Sequence, residues 1–125
     1  MPAQTPEQCD ELLGQYLGEG NLDACLTLYE PQASVVQQDG KSASGTAGIR
    51  EFFKAFAAAR PKLSANIINV AKAGDDLALV YNDWSAQLAG SDGSPRTISG
   101  KALEVVRRQR DGTWLFAIDI PYARG

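Results

Sequence analysis

The sequence predicts an α+β fold: a strongly curved antiparallel sheet with three helices from the N-terminal half packed on its concave face. Three observations predict it. Apolar residues recur at helical spacing through the first half of the chain. From Lys62 onward the period changes from 3.6 to 2, the period of strands. The last long run, GKALEVVRRQRDGTWLFAIDIPY at residues 100–122, holds Asp111-Gly112 between two β-rich halves, a strong hairpin signal. Helices first and strands afterwards is the order of an α+β domain. The 125 residues suffice for one real core, so 1–125 reads as one domain.

Thr5-Pro6-Glu7-Gln8 is a helix start. Thr5 caps, Pro6 takes the first helical position and Gln8 completes a capping-box pattern. This helix runs to about Leu17, with Leu12, Leu13, Tyr16 and Leu17 on one face, and Gly18 and Gly20 end it. Asn21 caps a second, short helix through about Tyr29, which turns Leu22, Cys25, Leu26 and Tyr29 inward; Pro31 stops it. Residues 33–38 form a short strand, turned by Asp39-Gly40, and 41–45 is a small-residue loop. Thr46 caps a third helix with Ile49, Phe52, Phe53 and Phe56 on its apolar face, a surface that serves as core and pocket wall alike. Arg60-Pro61 ends it, because the residue before proline avoids helical backbone.

Four strands follow as a meander: 63–73, 76–88, 96–110 and 113–122, with turns at Gly74-Asp75 and at the GSDGSP loop. Gly90 and Gly100 lie near bends, which suggests strong curvature. A curved sheet closed by helices makes a cone whose mouth is a natural pocket.

The terminal hairpin predicts its own register. If Asp111 and Gly112 are the two loop residues, Val106 faces Ala117 and Glu104 faces Asp119. One face then carries Ala102, Glu104, Val106, Leu115, Ala117 and Asp119; the other carries Leu103, Val105, Trp114, Phe116, Ile118 and Ile120. A three-residue loop with a bulge puts Glu104 opposite Ile118 instead. Like charges directly opposite in a sheet are destabilising, and two carboxylates sharing a site push one pKa up. Glu104 and Asp119 are therefore candidate acid–base residues, set against the plain reading of a strand-end ion pair. Asn82 and Trp84 share a strand face with Ala78, Val80 and Ala86, and that face is assigned to the pocket, with Trp84 as an apolar wall carrying one N–H donor. Tyr16 is expected to point its hydroxyl into the same cavity.

Composition narrows the chemistry. With no histidine, Ser-His and Cys-His catalysis and histidine-ligated metals are excluded, and acid–base work falls to carboxylates, tyrosine or lysine. Asp10-Glu11 and Asp75-Asp76 read as helix-surface and turn acids without ligand spacing, so no metal and no cofactor is expected. Cys9 and Cys25 fall in helical patterns and read as buried structural thiols. The net charge of −3 gives no footprint for nucleic acid. No apolar run approaches the ~18 residues of a membrane span. The N-terminus, MPAQTPEQCDELL, lacks the basic residues and apolar core of a signal peptide, so a cytoplasmic protein is expected.

The segments YLGEGNLDACLTLYEPQASVV, GTAGIREFF, GDDLALVYNDW and the terminal hairpin resemble the SnoaL-like, ketosteroid-isomerase-like family of the nuclear transport factor 2 superfamily, over nearly the whole chain. The resemblance implies a cystatin-like cone. It also implies a small bacterial dimer, and a function among isomerases, dehydratases, epoxide hydrolases, cyclases and non-catalytic binders. Ketosteroid isomerase places a general-base aspartate in its first strand, an oxyanion-hole tyrosine on its first helix and a protonated aspartate as second donor. Aligned through NLDACLTLYEPQASVV, the base position is Gln37, which cannot act as the base. The tyrosine position is Leu13, with Tyr16 one turn on. Counting back from the Asp-Gly turn puts Glu104 at the second acid. One role of three is retained, which argues against steroid isomerisation by that route.

The pocket set is thus Tyr16, Gln37, Phe56, Asn82 and Trp84 around Glu104 and Asp119. The expected partner is a small hydrophobic molecule, either the apolar, oxygenated substrate of a cyclase-, isomerase- or lyase-type enzyme or the ligand of a non-catalytic binding module. The Trp114, Phe116, Ile118, Ile120 face is expected to mediate a homodimer through the outer sheet.

Overall fold

A computed structural model describes residues 2–89 and 92–124. Gly90, one of the two bend glycines, lies outside the described residues. Three helices, α1 (Pro6–Gly18), α2 (Leu22–Leu26) and α3 (Gly45–Ala58), accompany six strands. These are β1 (Tyr29–Val36), β2 (Ser42–Ser44), β3 (Lys62–Ala73), β4 (Leu77–Ala89), β5 (Pro95–Arg108) and β6 (Trp114–Arg124). They form one sheet in the order β2-β1-β6-β5-β4-β3.

The helix starts follow their sequence signals. Thr5 Oγ1 accepts from Gln8 N, Pro6 opens α1, and Asn21 Oδ1 accepts from Ala24 N. Gln8 reaches back one residue further than a capping box requires, its Oε1 accepting from Gln4 N at 2.7 Å. The third helix starts at Gly45, with Ser44 rather than Thr46 at the cap. Residues 42–44, expected in a loop, pair with β1 as β2.

The sheet is mixed, not wholly antiparallel. The second helix stops at Leu26, and the chain goes straight into β1, which runs parallel to β6. Two contacts explain why Tyr29 leaves the helix. Phe116 N donates to Leu28 O at 2.8 Å, and the Tyr29 ring stacks on Phe116 at 4.8 Å between centroids. Pro31, which has no N–H to give a ladder, lies where the β1–β6 register is irregular, between Tyr29 and Ser34. The strand therefore runs through it.

The β5–β6 hairpin reaches its register by two opposite offsets. Gln109 N donates to Thr113 O and Gly112 N to Gln109 O, with Gly112 at φ 85°, so the loop has three residues and not two. That loop alone would set Glu104 against Ile118. A bulge at Ala117 restores the count: Val106 pairs with Phe116, Val105 with Ile118, and Glu104 with Asp119. The same Asp-Gly turn closes β1–β2, where Gln37 N donates to Lys41 O and Gly40 N to Gln37 O.

The bulge also corrects the faces. Trp114 and Phe116 lie on the inner face with Val106, buried at 4% and 0% exposure, while Leu115 turns outward. The core they join is filled by Leu17, Leu28, Val35, Ile49 and Val80. Both cysteines are free and buried. Among the described residues, no helix is long and apolar enough to cross a membrane.

Gly100 pairs with Trp84, and the indole lies across it with Nε1 donating to Pro121 O at 2.8 Å. A Cβ at residue 100 would stand 2.8 Å from the indole and from that carbonyl oxygen, inside contact distance. Gly100→Ala should cost about 1–3 kcal/mol through this overpacking. A urea midpoint lowered at constant slope is the expected readout; an unchanged midpoint would mean Trp84 is free to move aside.

Candidate active site

Between the inner sheet face and helices α1 and α3 lies a cavity of about 450 Å³. Its walls are apolar for local reasons. Leu13 and Leu17 repeat at helical spacing on α1, and Phe52, Phe53 and Phe56 do so on α3. On the sheet side, Trp84 is held by Pro121 and Gly100. Gln37, Gln38 and Asp39, from the end of β1 and its turn, also line it.

The floor is polar. Four side chains from four elements meet there: Asp10 of α1, Asn82 of β4, Glu104 of β5 and Asp119 of β6, each no more than 4% exposed. Asn82 Nδ2 lies 3.3 Å from Asp10 Oδ1 and 3.5 Å from Glu104 Oε2, bridging the two carboxyls. Asp10 and Glu104 lie close enough for the charge of one to raise the proton affinity of the other, which favours one proton held between them. Below Asp119, Tyr29 donates its hydroxyl to Oδ2 at 2.7 Å.

Burial sets the titration of this group. Desolvation is the largest influence on all three acids, because charge is costly away from water. It pushes Asp10 up to about 6 against the hydrogen bonds from Glu104 and Asn82, which pull down. It pushes Asp119 up to about 7, with the Tyr29 hydroxyl opposing. Glu104 is driven well above the usual carboxylate range by desolvation and then by the charges of Asp10 and Asp119. Tyr29 is raised as well, by its own burial and by Asp119. The floor therefore holds one acid, Glu104, whose proton affinity is raised well above the usual carboxylate range, beside two carboxyls that titrate at about 6 and about 7. Among the described residues no group of three or more potential ligands could hold a metal ion.

The SnoaL-like domain family model matches residues 12–116. The chain belongs to this SnoaL-like family. No curated protein matches it. Solved structures place the fold among nuclear transport factor 2-like proteins. A ketosteroid isomerase-like protein from Erwinia carotovora atroseptica superposes with TM-score 0.77 at 14% identity, over 91% of this chain and 89% of that one. A nuclear transport factor 2-like protein from Salmonella enterica gives 0.78 at 15%, over 94% and 88%. Aln2 from a Streptomyces species gives 0.79 at 13%, over 93% and 90%.

In this SnoaL-like chain the cavity brings together Glu104, Asp119, Asn82, Trp84, Phe56 and Gln37. Tyr16 is not among the lining residues. On a helix of 3.6 residues per turn it lies about 100° from Leu17, and it packs at the side of the core while Leu13 and Leu17 take the cavity. Leu13 holds the wall position where the resemblance to ketosteroid isomerase would put a tyrosine. The tyrosine that does reach the carboxyls is Tyr29, from a strand.

Asp10 is the floor residue that sequence reasoning misses. Beside Glu11 it reads as a helix-surface acid, yet it lies three residues before Leu13 and seven before Leu17, on the stripe that faces inward. That spacing is the available signal.

The raised carboxyls fix the sign of a pH dependence. A group whose folded pKa exceeds its unfolded value gives its full stabilisation below the unfolded pKa and loses it as pH rises through the folded one. Stability should fall by on the order of a few kcal/mol as pH rises from about 4 to about 7. Urea unfolding across that range measures it, and Asp119→Asn should flatten the slope. A pH-independent midpoint would mean the floor carboxyls titrate as exposed groups.

Proposed function

We propose that this SnoaL-like domain, taken as a single unit over residues 1–125, binds a small apolar, oxygenated molecule in its cavity and moves a proton on it. The reaction class is that of an isomerase, cyclase or lyase. The observation that carries this reading is the floor: three buried carboxyls of unequal proton affinity at the end of an apolar cavity. Such pairs of acids pushed apart in pKa are how acid and base roles are divided near neutral pH.

Glu104 holds its proton and donates it, or a hydrogen bond, to a substrate oxygen as charge develops there. Ionised Asp119, or Asp10, takes a proton from the neighbouring carbon. In an isomerisation that proton returns to a different carbon; in a lyase reaction the oxygen leaves with the proton from Glu104. Tyr29 orients Asp119, and Asn82 keeps Asp10 and Glu104 in register. Gln37 cannot supply the base that ketosteroid isomerase has at this position, so the chemistry is assigned to the floor and steroid isomerisation by that route is set aside. Gln37 also supports a second reading, a non-catalytic binding module for a hydrophobic metabolite.

Glu104→Gln and Asp119→Asn separate the two. Each should lower turnover by about 10²-fold or more, while a bound ligand still raises the melting temperature. Variants that turn over normally would remove the floor carboxyls from the chemistry, while a parent chain that binds but turns nothing over would leave the binding module standing.

The outer face supports self-association. Leu79, Val105 and Ile118 align across β4, β5 and β6, as do Tyr81, Leu103 and Ile120, and Ile118 is 41% exposed. An apolar stripe of this kind is the natural seam of a two-fold homodimer. Sedimentation should give twice the chain mass at micromolar concentration, and Ile118→Arg should give a monomer of unchanged melting cooperativity. A monomeric parent chain would remove the dimer from the reading.

A further inference from the structure

The floor has acceptors without matching donors. Among the described residues, no lysine or arginine lines the cavity. Arg50, Arg107, Arg108 and Arg124 pair with Asp23, Glu30, Asp76 and Asp83, none of which lines it. Asn82 Nδ2 is shared between two carboxyls, and Asn82 Oδ1, Asp10 Oδ2 and Glu104 Oε1 are buried with no hydrogen-bond partner among the described residues. One proton between Asp10 and Glu104 meets part of this deficit. Asn82 Oδ1, on a residue 4% exposed, stays unmatched. Leaving a buried acceptor unpaired costs about 1–3 kcal/mol, so the cavity is shaped for something that donates.

The rest of the cavity has the same bias. Asp39, another lining residue, extends the negative potential beyond the floor. Phe52, Phe53, Phe56 and Trp84 line it as well, and aromatic rings attract cations as well as apolar skeletons.

We infer that the molecule held in this cavity carries a protonated amine, seated on the floor formed by Asp10, Asn82, Glu104 and Asp119, with its carbon skeleton against the phenylalanines of α3 and Trp84. The inference rests on the pocket reading above, in its binding-module form, and adds the charge of the ligand, since an ammonium on the floor favours ionised carboxyls. An ammonium brings three donors and the missing positive charge; a hydroxyl brings one donor and no charge. Hydrogen bonds from an ionised donor are roughly twice as strong as neutral ones. The Asn82 amide then has a use for both ends, Nδ2 toward the carboxyls and Oδ1 toward the ligand.

Calorimetric titration with phenylpropylamine and phenylpropanol at neutral pH tests this on the unmodified protein. The two probes share a skeleton and differ in the terminal group. The amine should bind about tenfold tighter or more, a difference of ~1.4 kcal/mol. Asp10→Asn and Asp119→Asn should each narrow that ratio to about threefold or less, with the alcohol little changed. An alcohol that binds as tightly as the amine overturns the inference and leaves the pocket reading intact. An amine preference that survives both variants overturns it as well, since the charge would then be recognised elsewhere. If neither probe binds, the inference and the pocket reading fall together. Should the variants not fold, the wild-type ratio decides.

Discussion

Ala117 is one residue more than β5 can match, and the composition of the cavity depends on it. Residues before the bulge send Trp114 and Phe116 into the core; residues after it send Asp119 to the same face. Side chains on a strand alternate with period two, so without the extra residue Asp119 and Phe116 would point to opposite sides. One backbone irregularity thus lets a single strand supply both the aromatic floor of the core and a carboxyl for the cavity. Bulges beside functional sites commonly re-aim a side chain in this way.

The parallel β1–β6 pairing does the complementary work. It places Tyr29 between Phe53 and Phe116, at 5.8 and 4.8 Å between ring centroids, with its hydroxyl on Asp119. A buried carboxyl thereby gains a donor without gaining a counter-charge. The whole floor follows this rule. Asn82 and Tyr29 supply hydrogen bonds, and desolvation keeps the acids within reach of a proton at neutral pH. An arginine in their midst would stabilise the charged forms and remove that property. A fold optimised for stability alone would not bury three acids together, which is why such clusters point to function.

The fold does not choose among the chemistries of its family, because the same scaffold hosts unrelated sites. What this chain brings to it is the particular floor: Asp10 from the first helix, Asn82 from β4, and Glu104 opposite Asp119. Proton transfer, or the seating of an amine-bearing ligand, rests on those side chains.

Much of this is legible in the sequence because it is local. The 3.6-residue period of α1 and α3, the Thr5 and Asn21 caps, the Asp-Gly turns and the alternation in β3 to β6 are each written within a dozen residues. So is the inward face of β4 that carries Asn82 and Trp84. The Glu104–Asp119 pairing follows as well, from a two-residue loop that the chain does not use; a three-residue loop and the bulge cancel. What the sequence by itself determined is therefore the three helices, five of the six strands and the parity of most of them. Tertiary structure decided the rest. Tyr29 joins a strand and not a helix because Phe116 offers a ladder and a ring to stack on. Asp10 is buried and Tyr16 set aside because α1 is rotated by its packing on the sheet. These outcomes depend on contacts between residues some 70 to 110 positions apart, and no local pattern encodes the free energy of such contacts.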